Sequence, residues 1–132
     1  METSDGWQRA WREGFAPLLS TPALEALRDG LAANDPALLQ NVIASPLDLR
    51  GAPCDGACAI AYAIWKGEQI VLAEKVRDRF YEVCCKVRGR LDISYGDNLF
   101  IDWFDRTLRE GCFPILRAEV EHELARRKEA TA

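Results

Sequence analysis

An all-α bundle is the fold class this sequence predicts, on three observations. Apolar residues recur at three- and four-residue steps through most of the chain, Thr-Pro and Asp-Pro start signals precede two of the periodic stretches, and no run alternates with period two for long enough to make a secure strand. The 132 residues correspond to one compact domain at roughly 100–200 residues per domain. A composition of 48% hydrophobic and 29% charged residues separates the chain from disordered, collagen-like and membrane-spanning classes. The expectation is a single helical domain over residues 1–132, built from about six or seven helices, with no linker and no tail other than about residues 127–132.

Trp7, Trp11, Phe15 and Leu18 fall within about 80° of one another at roughly 100° per residue, with Arg9, Arg12 and Glu13 opposite. This predicts an amphipathic first helix ending near Pro17. Thr21-Pro22 reads as an N-cap followed by proline at the first helical position, and Leu24, Leu27 and Leu31 supply the apolar face. Asp35-Pro36 repeats the signal for a short third helix carrying Leu38, Leu39, Val42 and Ile43. Two prolines and a glycine make Ser45 to Pro53 the one substantial loop.

From about residue 55 to 66 apolar side chains surround the projected helix, so this segment is expected to be the buried central element. After Gly67 the longest helix is expected from about 68 to 90, with Val76, Phe80, Val83, Val87 and Leu91 as its core stripe. Asp92 to Asp97 reads as a turn with Asp97 as cap, and Leu91 to Tyr95 is where a strand remains open. Leu99, Phe100, Trp103, Phe104 and Leu108 face inward from a sixth helix capped by Gly111. Pro114 opens a seventh, whose narrow stripe of Leu116, Val120 and Leu124 marks it as peripheral before a charged tail from Arg126.

Charge narrows the functional classes. Seventeen Lys and Arg against 21 Asp and Glu leave a net charge of −4, opposite in sign to the usual footprint of a duplex-binding domain. Nucleic acid is therefore a disfavoured partner. The first residues lack the basic and apolar regions of a secretory signal. The longest uncharged apolar stretch, Gly56 to Trp65, falls short of the ~20 residues a bilayer requires. An odd number of cysteines without an export signal predicts reduced thiols, and hence a cytoplasmic protein with no membrane association.

Cys54 and Cys58 stand at i, i+4, a spacing that places two thiolates on one face if the helix already includes Cys54. With Cys84, or with Cys85 or Cys112, they compose a possible soft-metal, iron–sulfur or redox site. Against it, cysteine packs readily as a small buried hydrophobe, and no cofactor is expected. His122 follows Glu119 in a Glu-x-x-His step, half of a di-iron carboxylate motif whose second half is missing; Glu119, Glu121 and Glu123 read instead as a solvated face. Asp102 and Asp105 bracket Trp103-Phe104 as a candidate acid and base pair, but Asp102–Arg106 and Asp105–Arg109 read more simply as i, i+4 ion pairs.

The long helix concentrates positive charge. Lys75, Arg79, Lys86 and Arg90 fall within about 60° of projection beside its core stripe, with Glu82 the only acid between them. Trp7 and Trp11 suit either a core or an interface. The functional expectation is a non-enzymatic interaction domain, an adaptor, regulator or inhibitor, that meets an acidic protein surface through this ridge, with a homodimer compatible with the pattern. The alternative is the thiolate-ligated metal or redox protein using Cys54, Cys58 and Cys84 or another cysteine.

Overall fold

The computed structural model describes residues 4–131; the first three residues and Ala132, the end of the expected charged tail, lie outside it. Six helices follow one another among the described residues. The first rod, α1, comprises Ser4–Arg9, a π-helical stretch Ala10–Phe15 and a last turn Ala16–Leu18; then come α2 (Thr21–Ala33), α3 (Ala59–Gly67), α4 (Ala73–Leu91), α5 (Gly96–Arg106) and α6 (Arg109–Thr131). Two short strands, β1 (Ala44–Ser45) and β2 (Gly56–Ala57), pair antiparallel between α2 and α3. No helix among the described residues is long and apolar enough to cross a membrane.

Most of the helical core reads as the periodicity predicts, but the central helix begins at Ala59 rather than about 55, and Leu108, expected to face inward, lies past the end of α5 and is 77% exposed. In α3 every residue from Ala59 to Ile64 is buried, which makes it the central element. The expected stripe of α4 is buried at all five positions, from Val76 to Leu91. Trp7 and Trp11 face inward, Trp7 stacked on Trp103 at 3.7 Å and Trp11 against Phe100, so both belong to the core. The α2–α3 crossing is close enough that a Cβ on Gly67 would stand 2.2 Å from the Ala23 Cα.

The π stretch in α1 has a local cause. Pro17 has no N–H, so the Glu13 carbonyl four residues earlier cannot receive its α-helical bond, and the pyrrolidine ring crowds that carbonyl. The backbone opens instead, with the Ala16 N–H reaching Trp11 O, and the Glu13 carbonyl accepts from Arg90 Nε of α4 at 3.0 Å. Proline therefore distorts this helix, which ends at Leu18, near Pro17 as expected.

Four expected elements need correction. No third helix forms over residues 36–43. Asp35 Oδ1 does accept the Ala37 N–H, but the following backbone pairs with the segment before α3, through Leu39 N–H to Ala57 O, Ala57 N–H to Ala37 O and Cys58 N–H to Ile43 O. Tertiary backbone partners outcompete a helix too short to hold itself. The helix expected from 68 begins at Ala73, because Gln69 adopts a left-handed φ of 57° and residues 71–73 bond to Ala52 and Cys54. The break between α5 and α6 falls at Thr107 rather than Gly111: Gln40 Nε2 donates to the Phe104 and Thr107 carbonyls, both at 2.6 Å, and so terminates α5.

The last helix is neither peripheral nor second in length. It spans 23 residues against 19 for α4, includes Gly111 and Pro114, and carries the expected tail from Arg126 within it. Glu119 and Glu123, read from the sequence as solvated, are buried; only Glu121 of the three is exposed. Arg12 binds Glu119 through two bonds of 2.8 and 2.7 Å, and Arg126 and Arg127 both bind Glu123. Arg127 also donates to the carbonyls of Ala16 and Leu19, where α1 ends. Two carboxylates beside a narrow apolar stripe thus widen the packed face. Each is tolerated there because an arginine satisfies it.

Candidate functional site

The ridge on α4 lies at the border of its buried face, and that position decides what each cation can do. Arg79 and Arg90 project about 20–40° from the edge of the core stripe, within reach of neighbouring elements. Arg79 is taken by Glu68 at 3.2 Å and by Glu82 at 3.0 Å. Arg90 donates its Nε to the Glu13 carbonyl and is otherwise exposed. Lys75 and Lys86 project about 20–60° further out. Both are exposed, and neither has an ion pair among the described residues.

The opposite border behaves in the same way. Arg77 Nη1 donates to the Ala44 and Pro46 carbonyls at 3.0 and 3.2 Å, and Arg88 stands 3.3 Å from the buried carboxylate of Asp97. Asp97 is accordingly a buried partner in the first turn of α5, not the helix cap; Tyr95 occupies that position. All four arginines of α4 bind neighbouring groups, while its two lysines do not. The guanidinium fork reaches two acceptors at once, whereas the ammonium is a compact, strongly hydrated charge. The outward charge of the ridge is that of Lys75, Lys86 and the outer part of Arg90, with Arg79 offset by two glutamates.

Cys54 and Cys58 do not share the face their spacing suggests, although Cys84 lies near Asp97 and Cys58, and burial together with these two groups raises its thiol. α3 starts at Ala59, so Cys54 and Cys58 share no helical turn, and the i, i+4 face does not exist. The Cys54 thiol points at the Gly56 carbonyl at 3.4 Å, and Cys112 Sγ lies 3.9 Å from the Phe104 carbonyl. Cys54, Cys58, Cys84 and Cys112 are buried and Cys85 is exposed. No three His, Cys, Asp or Glu side chains among the described residues lie close enough together to hold a metal ion.

Cys58 precedes the first residue of α3 and lines a cavity of about 130 Å³ together with Ile60, Phe80, Phe100, Phe104 and Asp105. Burial pushes its thiol up to about 12, against a smaller opposing effect of nearby backbone N–H groups, so it is a protonated thiol at neutral pH and a poor nucleophile. Desolvation likewise raises the Asp105 carboxyl, although the Asn41 N–H donates to it at 2.8 Å. That bond replaces the expected pair with Arg109. Arg109 instead reaches Asn34 Oδ1 and the backbone carbonyls of Asp35 and Leu38. Asp102 is exposed and forms no ion pair with Arg106.

Glu119 is engaged by Arg12 and by Gln8 Nε2, and His122 faces solvent, so the Glu-x-x-His half-motif is not assembled. The polar contacts that periodicity did not disclose are those joining distant segments: Arg12 to Glu119, Arg127 to the end of α1, and the Tyr62 hydroxyl to Asp35 at 2.6 Å. The only sequence signal for the first two was the chemistry itself, acids and arginines flanking an apolar stripe too narrow for a buried helix.

Compared with known protein families, with curated proteins and with solved structures, the chain matches none.

Proposed function

We propose that this protein is a small non-enzymatic interaction domain whose α4 ridge, Lys75, Lys86 and the outer part of Arg90, docks against an acidic surface of another protein. The observation that carries the reading is the contrast on this helix: its arginines are committed to internal acceptors, while Lys75 and Lys86 stay exposed on one edge without an ionic partner among the described residues. Eleven residues separate the two lysines, about 16 Å at 1.5 Å per residue, so an acidic patch of modest width meets both. Charges at such an edge raise association rates and set register, and their effect falls with salt.

The test compares affinity capture from the source cells using the wild type and the Lys75→Glu/Lys86→Glu double variant. Mass spectrometry identifies captured proteins, and affinity is then measured at about 50 and about 300 mM salt. We expect the double variant to retain the wild-type melting temperature and to bind roughly tenfold or more weakly. Arg79 and Arg90 are unsuitable first targets because their loss would also loosen the packing of α4. Equal, salt-independent capture by wild type and variant refutes the proposal.

A further inference from the structure

The outer face of α6 is unpartnered, and its charges are ordered so that the helix complements itself when reversed. Counting from Glu119, Glu110 and Lys128 lie nine residues to either side, and Arg117 and Glu121 lie two residues to either side. All four side chains are exposed, and all four line the two clefts between α2 and α6, of about 550 and 400 Å³. They share one edge of the helix, within about 40° of projection. Next to that edge Pro114, Ala118 and Ala125 are exposed, with Glu129 and His122 further round the helix.

We propose that α6 is the interface of a homodimer in which two copies pack their outer faces antiparallel about a two-fold axis at the level of Glu119. A two-fold axis perpendicular to both helices keeps each edge opposite the same edge of the partner with its order reversed. Glu110 then faces Lys128 of the partner subunit, twice, while the Arg117–Glu121 pair of each chain, already joined at 3.2 Å, meets the same pair of the partner subunit in reversed order. The paired ends lie about 27 Å apart along the helix, at 1.5 Å per residue. A parallel arrangement would set Glu110 on Glu110 and Lys128 on Lys128, so the same charges that favour one orientation oppose the other. Glu119 takes no part, because its carboxylate points inward to Arg12. The 550 and 400 Å³ clefts exchange places under the axis, and the partner's helix covers each.

A charge swap between chains tests this. Wild type should sediment with a concentration-dependent mass rising from 14.8 kDa toward twice that value. Glu110→Lys and Lys128→Glu should each weaken self-association about tenfold or more, and an equimolar mixture of the two should recover a heterodimer, since every end pair is then opposite in charge. Neither side chain makes a hydrogen bond or ion pair among the described residues, so each variant should remain folded, which circular dichroism checks. As a second measure, Ala118→Cys with Cys85→Ser should cross-link to itself on mild oxidation, whereas Glu129→Cys in the same background should not. A wild type that stays at 14.8 kDa up to about 0.5 mM overturns the proposal. So does a dimer indifferent to both reversals.

Discussion

Replacing Gly67 by alanine should unfold this protein at a markedly lower temperature, although alanine is the better helix former. A Cβ at this position would stand 2.2 Å from Ala23 Cα and 2.4 Å from Ala23 N. Ordinary contact begins near 3.4 Å, and backbone atoms cannot rotate aside as a side-chain end can, so α2 and α3 must separate by about 1 Å. A radial gap of that size forfeits up to about half of the dispersion attraction along the contact. Overpacking costs about 1–3 kcal/mol, and a backbone obstruction belongs at the upper end, about 3 kcal/mol. With an unfolding entropy of about 2.1 cal/mol/K per residue, the 132-residue chain should lose about 10 °C in Tm. Gly89→Ala is the control of opposite sign. It lies within α4, exposed, with nothing within 4 Å of the added methyl, and should gain about 0.5–1 kcal/mol, or about 2–4 °C. Thermal unfolding followed at 222 nm reads both. A Gly67→Ala protein melting within about 2 °C of wild type would mean that the α2–α3 crossing is not this close.

Asp105→Asn should be tolerated and should alter the pH profile. Its carboxyl is raised by desolvation, so its stabilising contribution is present below the unfolded pKa and is lost as pH rises through the folded one. The variant keeps an oxygen for the Asn41 N–H, and its stability relative to wild type should increase from about pH 3 to about pH 7 in denaturant titrations. Asp35 has the opposite sign. The Tyr62 hydroxyl, followed by the Ala37 N–H, holds its carboxyl below the usual range, so its contribution is present above the unfolded pKa and lost as acid protonates the folded state. Tyr62→Phe should accordingly destabilise at neutral pH and narrow the difference in acid, as equilibrium unfolding at several pH values would show. Arg12→Ala should lower Tm more than the double variant Arg12→Met/Glu119→Leu, because the single change leaves a buried carboxylate unpaired; equal melting temperatures would count against that pairing. Under native conditions Ellman's reagent should titrate Cys85 rapidly, with the four buried thiols reacting only after unfolding.

The candidate ridge shows how far helical periodicity reaches. Projection correctly places Val76 through Leu91 inward and the cations beside them. It cannot say that Glu68 and the Glu13 carbonyl stand next to Arg79 and Arg90, because both acceptors are brought there by the packing of other segments. The same holds for Glu119 and Glu123, which periodicity assigns to solvent: Arg12 of α1 holds Glu119 inside, and Arg126 and Arg127 of its own helix hold Glu123. Cys54 and Cys58 fail for a different reason: their shared face presumed a helix start four or five residues before the observed one, where the chain instead pairs as strand β2.

What the amino-acid order determined by itself is the helical class, the central buried helix and the inward stripes, since these depend on apolar spacing within a single turn or two and on burial that any compact packing supplies. Tertiary structure alone decided where helices stop and which charges stay outside. Those outcomes depend on competition for backbone and guanidinium partners between segments far apart in the chain, as Gln40 ends α5 and Arg90 serves the carbonyl that Pro17 leaves without a donor. Lys75 and Lys86 remain outward because no such partner reaches them among the described residues, and that is a property of the packed molecule.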